Sequence, residues 1–292
     1  MIDVSSLTRR FGDHVAVDDV SFQVRPGRMT GFVGANGAGK TTTMRMIMGV
    51  LAPTAGEVRW NGEPITAETR RTFGYMPEER GLYPRMRIRE QLVYFARLHG
   101  YGRADAAVRA DDLLEHFGLI DRADDQLDDL SLGNQQRIQI AAALIHEPTA
   151  LVLDEPFSGL DPLAVDAMVD LLRREAKDLP LLFSSHQLDL VEQLCDDLVI
   201  LSGGRLVAYG PVDELRSQGA ERYRVVMDGS DAAWLRDLGG VEVRDVDGPT
   251  ALVDLDGLSA SDLTRAALER GPIVEVSRLR QPLSEIFREA TR

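Results

Sequence analysis

The chain has 292 residues, a formal net charge of −14, 44% hydrophobic residues and 27% charged residues. This length predicts one large domain and one small domain. The apolar content excludes a disordered chain, and the negative net charge argues against nucleic-acid binding. Cys195 is the one cysteine, so no intrachain disulfide forms, and no apolar run approaches the roughly 20 residues of a membrane-spanning helix. We therefore expect no signal peptide and no membrane span, and any link to a membrane must come through a partner.

The first part of the chain places a glycine-rich loop between a strand and a helix. Strands are predicted at 2–7, 15–24 and 29–33, and apolar residues at helical spacing predict a helix at 43–50. Residues 51–75 have the pattern of short strands and turns.

Helices and strands then alternate. Helices are predicted at 88–99, 104–117, 130–146, 164–177 and 188–194, with buried strands at 150–153 and 181–184. This alternation predicts an α/β core with a largely parallel sheet.

The character of the chain changes near residues 210–219. The remainder carries no glycine-rich motif, and its predicted elements follow the order strand, helix, strand, strand, helix, strand and terminal helix. The six elements before the terminal helix have the β-α-β-β-α-β order of a small ferredoxin-like α+β unit. We therefore divide the chain into residues 1–217 and an accessory domain at 218–292.

A phosphate-binding loop is the strongest motif. The pattern G-x-x-x-x-G-K-[ST] is matched by Gly34, Ala35, Asn36, Gly37, Ala38, Gly39, Lys40 and Thr41, and Thr42 follows at the start of the helix. Glycines let successive backbone N–H groups turn towards phosphate oxygens at a helix N-terminus. Lys40 is expected to bridge the β- and γ-phosphates of ATP, and the Thr41 hydroxyl to ligate Mg²⁺.

Two acids end the buried strand at 150–153. Asp154 falls at the carboxyl edge of the predicted sheet, where it can hold the Mg²⁺ shell. Glu155 follows directly and is the candidate to polarise the attacking water.

The segment Leu130-Ser-Leu-Gly-Asn-Gln-Gln-Arg137 closely resembles the signature segment of ABC ATPases, usually leucine-serine-glycine-glycine-glutamine. Leu132 replaces the first glycine and Asn134 the glutamine, whereas Ser131 and Gly133 keep the pattern. The resemblance spans about residues 2–215 and implies a P-loop NTPase cassette with a mixed sheet and a helical subdomain at about 85–147.

Further roles follow from this resemblance. The segment Ser158-Gly-Leu-Asp161 is similar to the D-loop, so Asp161 is expected near the nucleotide across a dimer interface. His186 is similar to the switch histidine that contacts the γ-phosphate and orients water. Phe11 is similar to the aromatic residue that stacks on adenine. Glu78 stands where the Q-loop usually has glutamine, and its carboxylate can bind Mg²⁺.

The resemblance also implies how the subunit works. Each ATP is held by Lys40 of one chain and by Ser131 and Gly133 of a second copy, so ATP binding joins the two chains. The expected partners are this second copy and a separate transmembrane permease that docks around 78–97, which places the chain peripherally on the cytoplasmic face of the membrane. Glu78, Leu132, Asn134 and the segment 282–287 resemble a subset of exporter ATPases, including sodium- and drug-efflux types.

Three other interpretations remain open from the residues. The first is an ABC-type ATPase without a transport role, and the second is another P-loop enzyme such as a small-molecule kinase, in which the segments 131–137 and 158–161 would have no role. The third is a catalytically weak regulatory subunit, which Glu155 and His186 oppose and Glu78 and Leu132 permit. The transported substrate cannot be read from the sequence.

Overall fold

The computed structural model describes residues 1–78, 81–217 and 221–279. The chain divides into two compact units, Met1–Pro211 and Val212–Arg292. This division falls a few residues before the boundary that the sequence suggests at 217, because the short helix before that boundary groups with the second unit. Across the described ranges, no helix is long and apolar enough to cross a membrane.

The first unit contains ten strands and seven α-helices within its described residues. The strands are β1 Ile2–Phe11, β2 His14–Val24, β3 Met29–Val33, β4 Ala55–Trp60, β5 Glu63–Pro64, β6 Phe73–Met76, β7 Ala150–Leu153, β8 Leu181–Ser185, β9 Asp197–Ser202 and β10 Arg205–Pro211. The α-helices are α1 Lys40–Ile47, α2 Ala67–Arg71, α3 Ile88–Leu98, α4 Arg103–His116, α5 Leu132–Leu144, α6 Pro162–Glu175 and α7 Leu188–Leu194, and two 3-10 turns lie at Ile120–Arg122 and Leu127–Asp129.

These strands form two sheets. An antiparallel sheet has the order β2-β1-β4-β5, and a six-stranded sheet has the order β10-β9-β3-β8-β7-β6. In the larger sheet β3, β6, β7, β8 and β9 run parallel and β10 is antiparallel, so the predicted α/β cassette with a mixed sheet is confirmed. The carboxyl ends of the parallel strands meet at one edge, where an open α/β sheet binds its ligand.

The core of this unit lies between the two sheets and helix α1. Strands β3, β7 and β8 are buried at every position, as expected for parallel strands that are covered on both faces. Phe22 of β2 packs on Phe32 of β3 with ring centroids 5.3 Å apart. The buried sheet therefore gives the loops at its edge a rigid base.

Helix α3 packs against α4 and α5, and α5 also packs against β6 and β7 of the larger sheet. Helix α2 is not predicted from the sequence, because it buries none of its residues and therefore has no apolar periodicity. Its start is fixed by Thr66, whose hydroxyl accepts the N–H of Thr69 at 3.1 Å.

The second unit has the predicted β-α-β-β-α-β order. Its elements are α8 Val212–Ser217, β11 Glu221–Met227, a 3-10 helix Ala233–Asp237, β12 Val241–Asp247, β13 Thr250–Leu255, α9 Ala260–Arg270 and β14 Ile273–Leu279. The sheet is antiparallel with the order β12-β13-β11-β14, which is the ferredoxin-like arrangement. The first helix of that pattern is a 3-10 helix here, and the predicted terminal helix from Leu283 lies outside the described residues.

Candidate nucleotide-binding site

The glycine-rich loop connects β3 to α1 through positions that accept only glycine. Gly39 has φ +101°, and a Cβ there would lie 2.7 Å from the carbonyl oxygen of Ala16. A Cβ at Gly34 would lie 2.6 Å from the carbonyl oxygen of Leu201. The backbone therefore turns tightly between two neighbouring strands and directs the loop to the N-terminus of α1, where phosphate is favoured.

Lys40 lies at the start of α1 and is only 6% exposed. Its ammonium group donates to the carbonyl oxygen of Gly34 at 2.7 Å and lies 3.6 Å from Oε1 of Glu155. The buried Lys40 ammonium is thus held between the loop and the Glu155 carboxylate.

Asp154 is fully buried at the end of β7. Its Oδ1 accepts the hydroxyl of Ser184 at 2.5 Å, whereas its Oδ2 has no partner among the described residues. A buried carboxylate oxygen without a partner is costly unless another group binds it. The donor set of Asp154 and Thr41 therefore fits a hard cation such as Mg²⁺.

Glu155 has a backbone conformation that is rare for a side chain larger than glycine, with φ +52°. Its N–H donates to Ser184 Oγ at 2.8 Å, and its Oε2 lies 3.0 Å from Nδ1 of His186, which follows β8. Ser184 thus contacts both acids, and His186 fixes the second carboxylate oxygen. Such constrained backbone positions are typical of functional sites.

A cleft of about 420 Å³ lies over these groups. Its lining consists of Phe11, His14, Ala16, Asn36, Gly37, Ala38, Gly39, Lys40, Thr41, Thr42, Glu78 and Glu155. Most of the residues predicted from the phosphate loop are therefore brought together, with Glu78 from the loop after β6. Phe11 is 46% exposed at the mouth of the cleft, and the Arg9 guanidinium lies 4.5 Å from its ring centroid.

Seven predicted residues are not among those that line this cleft in the described part of the chain: Gly34, Ala35, Ser131, Gly133, Asp154, Asp161 and His186. Of these, Asp154 precedes Glu155, and His186 contacts its carboxylate. Ser131 begins α5 without a side-chain capping bond, and Gly133 lies in the first turn of that helix. Asp161 caps α6, because its Oδ1 accepts the N–H of Ala164 at 2.9 Å. A capping bond is a sufficient local reason for an aspartate at this position.

Sequence reasoning missed Ser184, His14 and Ala16. The role of Ser184 depends on the register of β8 against β7, which pairs Phe183 with Leu153 and brings the following residues side by side. His14 and Ala16 reach the cleft because β2 folds back on β1 beside the loop. No local pattern in the sequence marks these contacts.

Comparison with known families gives two matches along the chain. The family described as "ABC transporter" matches residues 17–158, which include the phosphate loop, the signature segment and both acids. The family described as "ATP-binding protein DrrA1-3-like, C-terminal domain" matches residues 210–291.

Individual relatives cover most of the chain. An uncharacterised ABC transporter ATP-binding protein of Bacillus subtilis, YhaQ, is 40% identical over 82% of this chain and 81% of its own length. A Nod factor export ATP-binding protein I of Cupriavidus metallidurans is 37% identical over 74% of this chain and 72% of its own length. A solved structure titled "Structure of ATP binding subunit of ABC transporter" superposes with a TM-score of 0.67 at 36% identity, covering 75% of this chain and 92% of that one. With its phosphate loop, paired acids and cassette fold, the chain belongs to the ATP-binding subunits of ABC transporters, a family of ATPases that hydrolyse ATP.

Proposed function

We propose that two copies of this chain hydrolyse Mg²⁺-ATP together and drive export through a separate permease. The observation that carries the proposal is the convergence of Lys40, Asp154, Glu155 and His186 at one edge of the parallel sheet. The oxygens of Glu155 face a cation on one side and an imidazole on the other. This is the environment expected of a group that positions and deprotonates water beside a phosphate.

The chain's own groups perform distinct parts of the reaction. The loop N–H groups and Lys40 hold the phosphates, and Glu155 orients a water molecule for in-line attack on the γ-phosphorus. The oxygen of this water forms a bond to phosphorus while the bond to the β–γ bridging oxygen breaks, which yields ADP and phosphate; Glu155 accepts the proton. Mg²⁺ held by Asp154 and Thr41, with Glu78 nearby, would neutralise charge on the phosphate oxygens. Phe11 would stack on adenine at the mouth of the cleft.

The second copy supplies the remaining contacts. Ser131 and Gly133 lie at the N-terminus of α5, and the Ser131 hydroxyl makes no capping bond within its own helix. A phosphate brought to this helix end by another chain would meet backbone N–H groups and the hydroxyl. A two-fold axis then gives two equivalent sites, with Asp161 near the interface.

Docking of the permease is assigned to the surface around residues 78–97. Tyr83 and Tyr94 are exposed there with ring centroids 6.1 Å apart, and Leu98 is exposed on the same helix. Exposed apolar side chains in a group mark an interaction surface. The permease would hold the chain at the cytoplasmic face of the membrane, and the proposal of export follows the printed name of the Nod factor export relative.

The site is tested with purified wild type and the Glu155→Gln variant. We expect wild type to hydrolyse Mg²⁺-ATP, and the variant to lose hydrolysis but to form a dimer only when ATP is present. Glu68→Gln, an exposed change in α2, is the matched control and keeps both properties. A wild type that binds ATP but neither hydrolyses it nor dimerises, with or without its permease, would point to the regulatory subunit that Glu78 and Leu132 permit.

Docking is tested separately. Charge reversal at the exposed Arg85 should weaken permease binding and transport, whereas the same change at the exposed Arg103 in α4 should not. Intact transport in Arg85→Glu would count against this docking surface.

A further inference from the structure

Leu132 lies against the loop that follows the catalytic acid. Gly159 has φ +75°, and a Cβ built on it would lie only 2.8 Å from Cδ2 of Leu132. The end of the leucine side chain therefore occupies the space that a side chain at residue 159 would need. Gly133 is also close to this loop, since its Cβ would lie 3.4 Å from Cδ2 of Leu160.

A hydrogen bond joins the same two segments one turn further along α5. Nε2 of Gln136 donates to the carbonyl oxygen of Ser158 at 2.6 Å, and Gln136 is buried. Ser158 is exposed, so this bond is only partly buried, and its loss would leave the buried Gln136 amide without this partner.

The loop is in turn continuous with the catalytic site. The N–H of Ser158 donates to the carbonyl oxygen of Glu155 at 3.2 Å, and the N–H of Glu155 is fixed by Ser184. Phe157, which lies between them in the chain, is buried against Phe183 of β8 with ring centroids 5.1 Å apart. A displacement of Gly159 is therefore passed to the Glu155 backbone over one tight turn.

We propose that Leu132 is a positioning residue that makes the start of α5 and the segment 155–160 move as one body. The consequence for the two ATP sites rests on the dimeric mechanism proposed above. Ser131 of a chain contacts the ATP held by its partner, whereas Glu155 acts on the ATP of its own site. Contact between Leu132 and Gly159 thus links the two nucleotide sites through each chain.

The contact with Gly159 is made by the residue at which this chain departs from the usual signature pattern. A glycine at residue 132 would leave Gly159 uncovered, and the segments would then be joined by the Gln136 bond and the approach of Gly133 to Leu160. Leu132 is 37% exposed, so its side chain is placed by this contact and not by burial in the core.

The test uses the full chain as wild type, Leu132→Ala and Leu132→Met, with Val108→Ala as the control. Val108 is 61% exposed on α4 and lies in no part of the site. For each variant, kcat, KM and the Hill coefficient for Mg²⁺-ATP are measured with the thermal midpoint and the nucleotide affinity of the monomer.

We expect Leu132→Ala to lower kcat about tenfold and the Hill coefficient towards about 1, the value of independent sites. Monomer affinity for nucleotide and the thermal midpoint should stay at the wild-type values, Leu132→Met should restore at least half of kcat, and Val108→Ala should match wild type. If wild type is cooperative and Leu132→Ala is equally cooperative, the inference is overturned while the proposed function stands. A wild type without ATP-dependent dimerisation overturns both.

Discussion

His186 Nδ1 lies 3.0 Å from Oε2 of Glu155, so imidazole and carboxylate form one hydrogen-bonded pair beside the nucleotide cleft. This pair fixes the orientation of the carboxylate without blocking the cleft, because its other oxygen faces Lys40. Orientation of a general base by a neighbouring group is a common requirement of hydrolysis.

Replacing His186 with alanine should therefore lower kcat about 100-fold, in the range that a lost positioning contact costs. Nucleotide affinity should change less than twofold, since His186 is not among the residues that line the cleft. The control is His116→Ala, which removes a comparable His–carboxylate pair with Glu175 at 3.3 Å, and neither residue of that pair belongs to a motif. Saturating Mg²⁺-ATP hydrolysis measures the effect, and a His186 variant with more than half of wild-type kcat would contradict it.

Ser184 supports both acids through one hydroxyl. The Ser184→Ala change removes the donor to Asp154 and the acceptor for the Glu155 N–H, and it leaves buried groups unsatisfied. We expect kcat to fall at least about tenfold and the Mg²⁺ concentration needed for half-maximal rate to rise, because both acids are displaced.

The neighbouring Ser185→Ala change is its control. The Ser185 hydroxyl accepts the N–H of Gln187 at 3.0 Å and contacts neither acid. Titration of hydrolysis with Mg²⁺ compares the two variants, and equal Mg²⁺ dependence in both would show that the Ser184 hydroxyl does not act through Asp154.

The local motifs could be predicted because each follows a buried strand. Strand patterns at 29–33, 150–153 and 181–184 predict that the phosphate loop, the acids and His186 lie at one sheet edge. Their convergence follows from parallel pairing of β3, β8 and β7, which the alternation of strands and helices indicates. The same reasoning gives the order of elements in the second unit.

The contacts and elements that could not be predicted from the sequence depend on strand register and on exposure. Ser184 meets Asp154 because of a pairing between strands about 30 residues apart, and Leu132 meets Gly159 across a helix start. Helix α2 buries none of its residues, so apolar periodicity cannot reveal it. The first helix of the β-α-β-β-α-β pattern is a 3-10 helix over Ala233–Asp237, which buries only Leu235 within that short element.

A stacked histidine pair leads us to expect that acid destabilises the first unit. The rings of His99 and His146 lie 3.8 Å apart and nearly parallel, and burial, together with the neighbouring His99, lowers the pKa of His146 to about 4. An unfolded histidine takes up its proton near pH 6.5, so between these values the unfolded chain binds more protons than the folded one. Stability should thus decline as pH falls from about 6.5 towards about 4.

The expected loss is about 1 to 2 kcal/mol, after allowance for the partial exposure of His146. His146→Gln should flatten the pH dependence in this window, whereas Val108→Ala, an exposed change without a titratable group, should keep the wild-type slope. The free energy of unfolding is measured with urea at pH 7.5, 6, 5 and 4.5, which span roughly the titration range of the histidine. An unchanged slope in His146→Gln would rule out this histidine as the cause.

An ion-pair cluster on the sheet of the second unit gives a last prediction. Asp254 is buried and accepts from Arg222 Nε at 2.7 Å and from Arg244 Nε at 2.6 Å. Burial raises the pKa of Asp254, but the hydrogen bonds from both arginines outweigh it and hold the pKa below its usual value. A folded pKa below the unfolded one means that the carboxylate stabilises the unit above about pH 4 and that this stability is lost at lower pH.

Asp254→Asn keeps the shape and removes the charge that Arg222 and Arg244 share. Breaking a buried pair costs about 3 kcal/mol, so we expect amide hydrogen exchange in β11 and β13 to accelerate by roughly 100-fold at pH 7. Asp245→Asn, on an exposed position of β12, should leave these amides unchanged. Because the charge is already absent in Asp254→Asn, acidification should reduce the protection of these amides more in wild type than in the variant. Equal protection of the two proteins at pH 7 would show that the cluster does not stabilise this sheet.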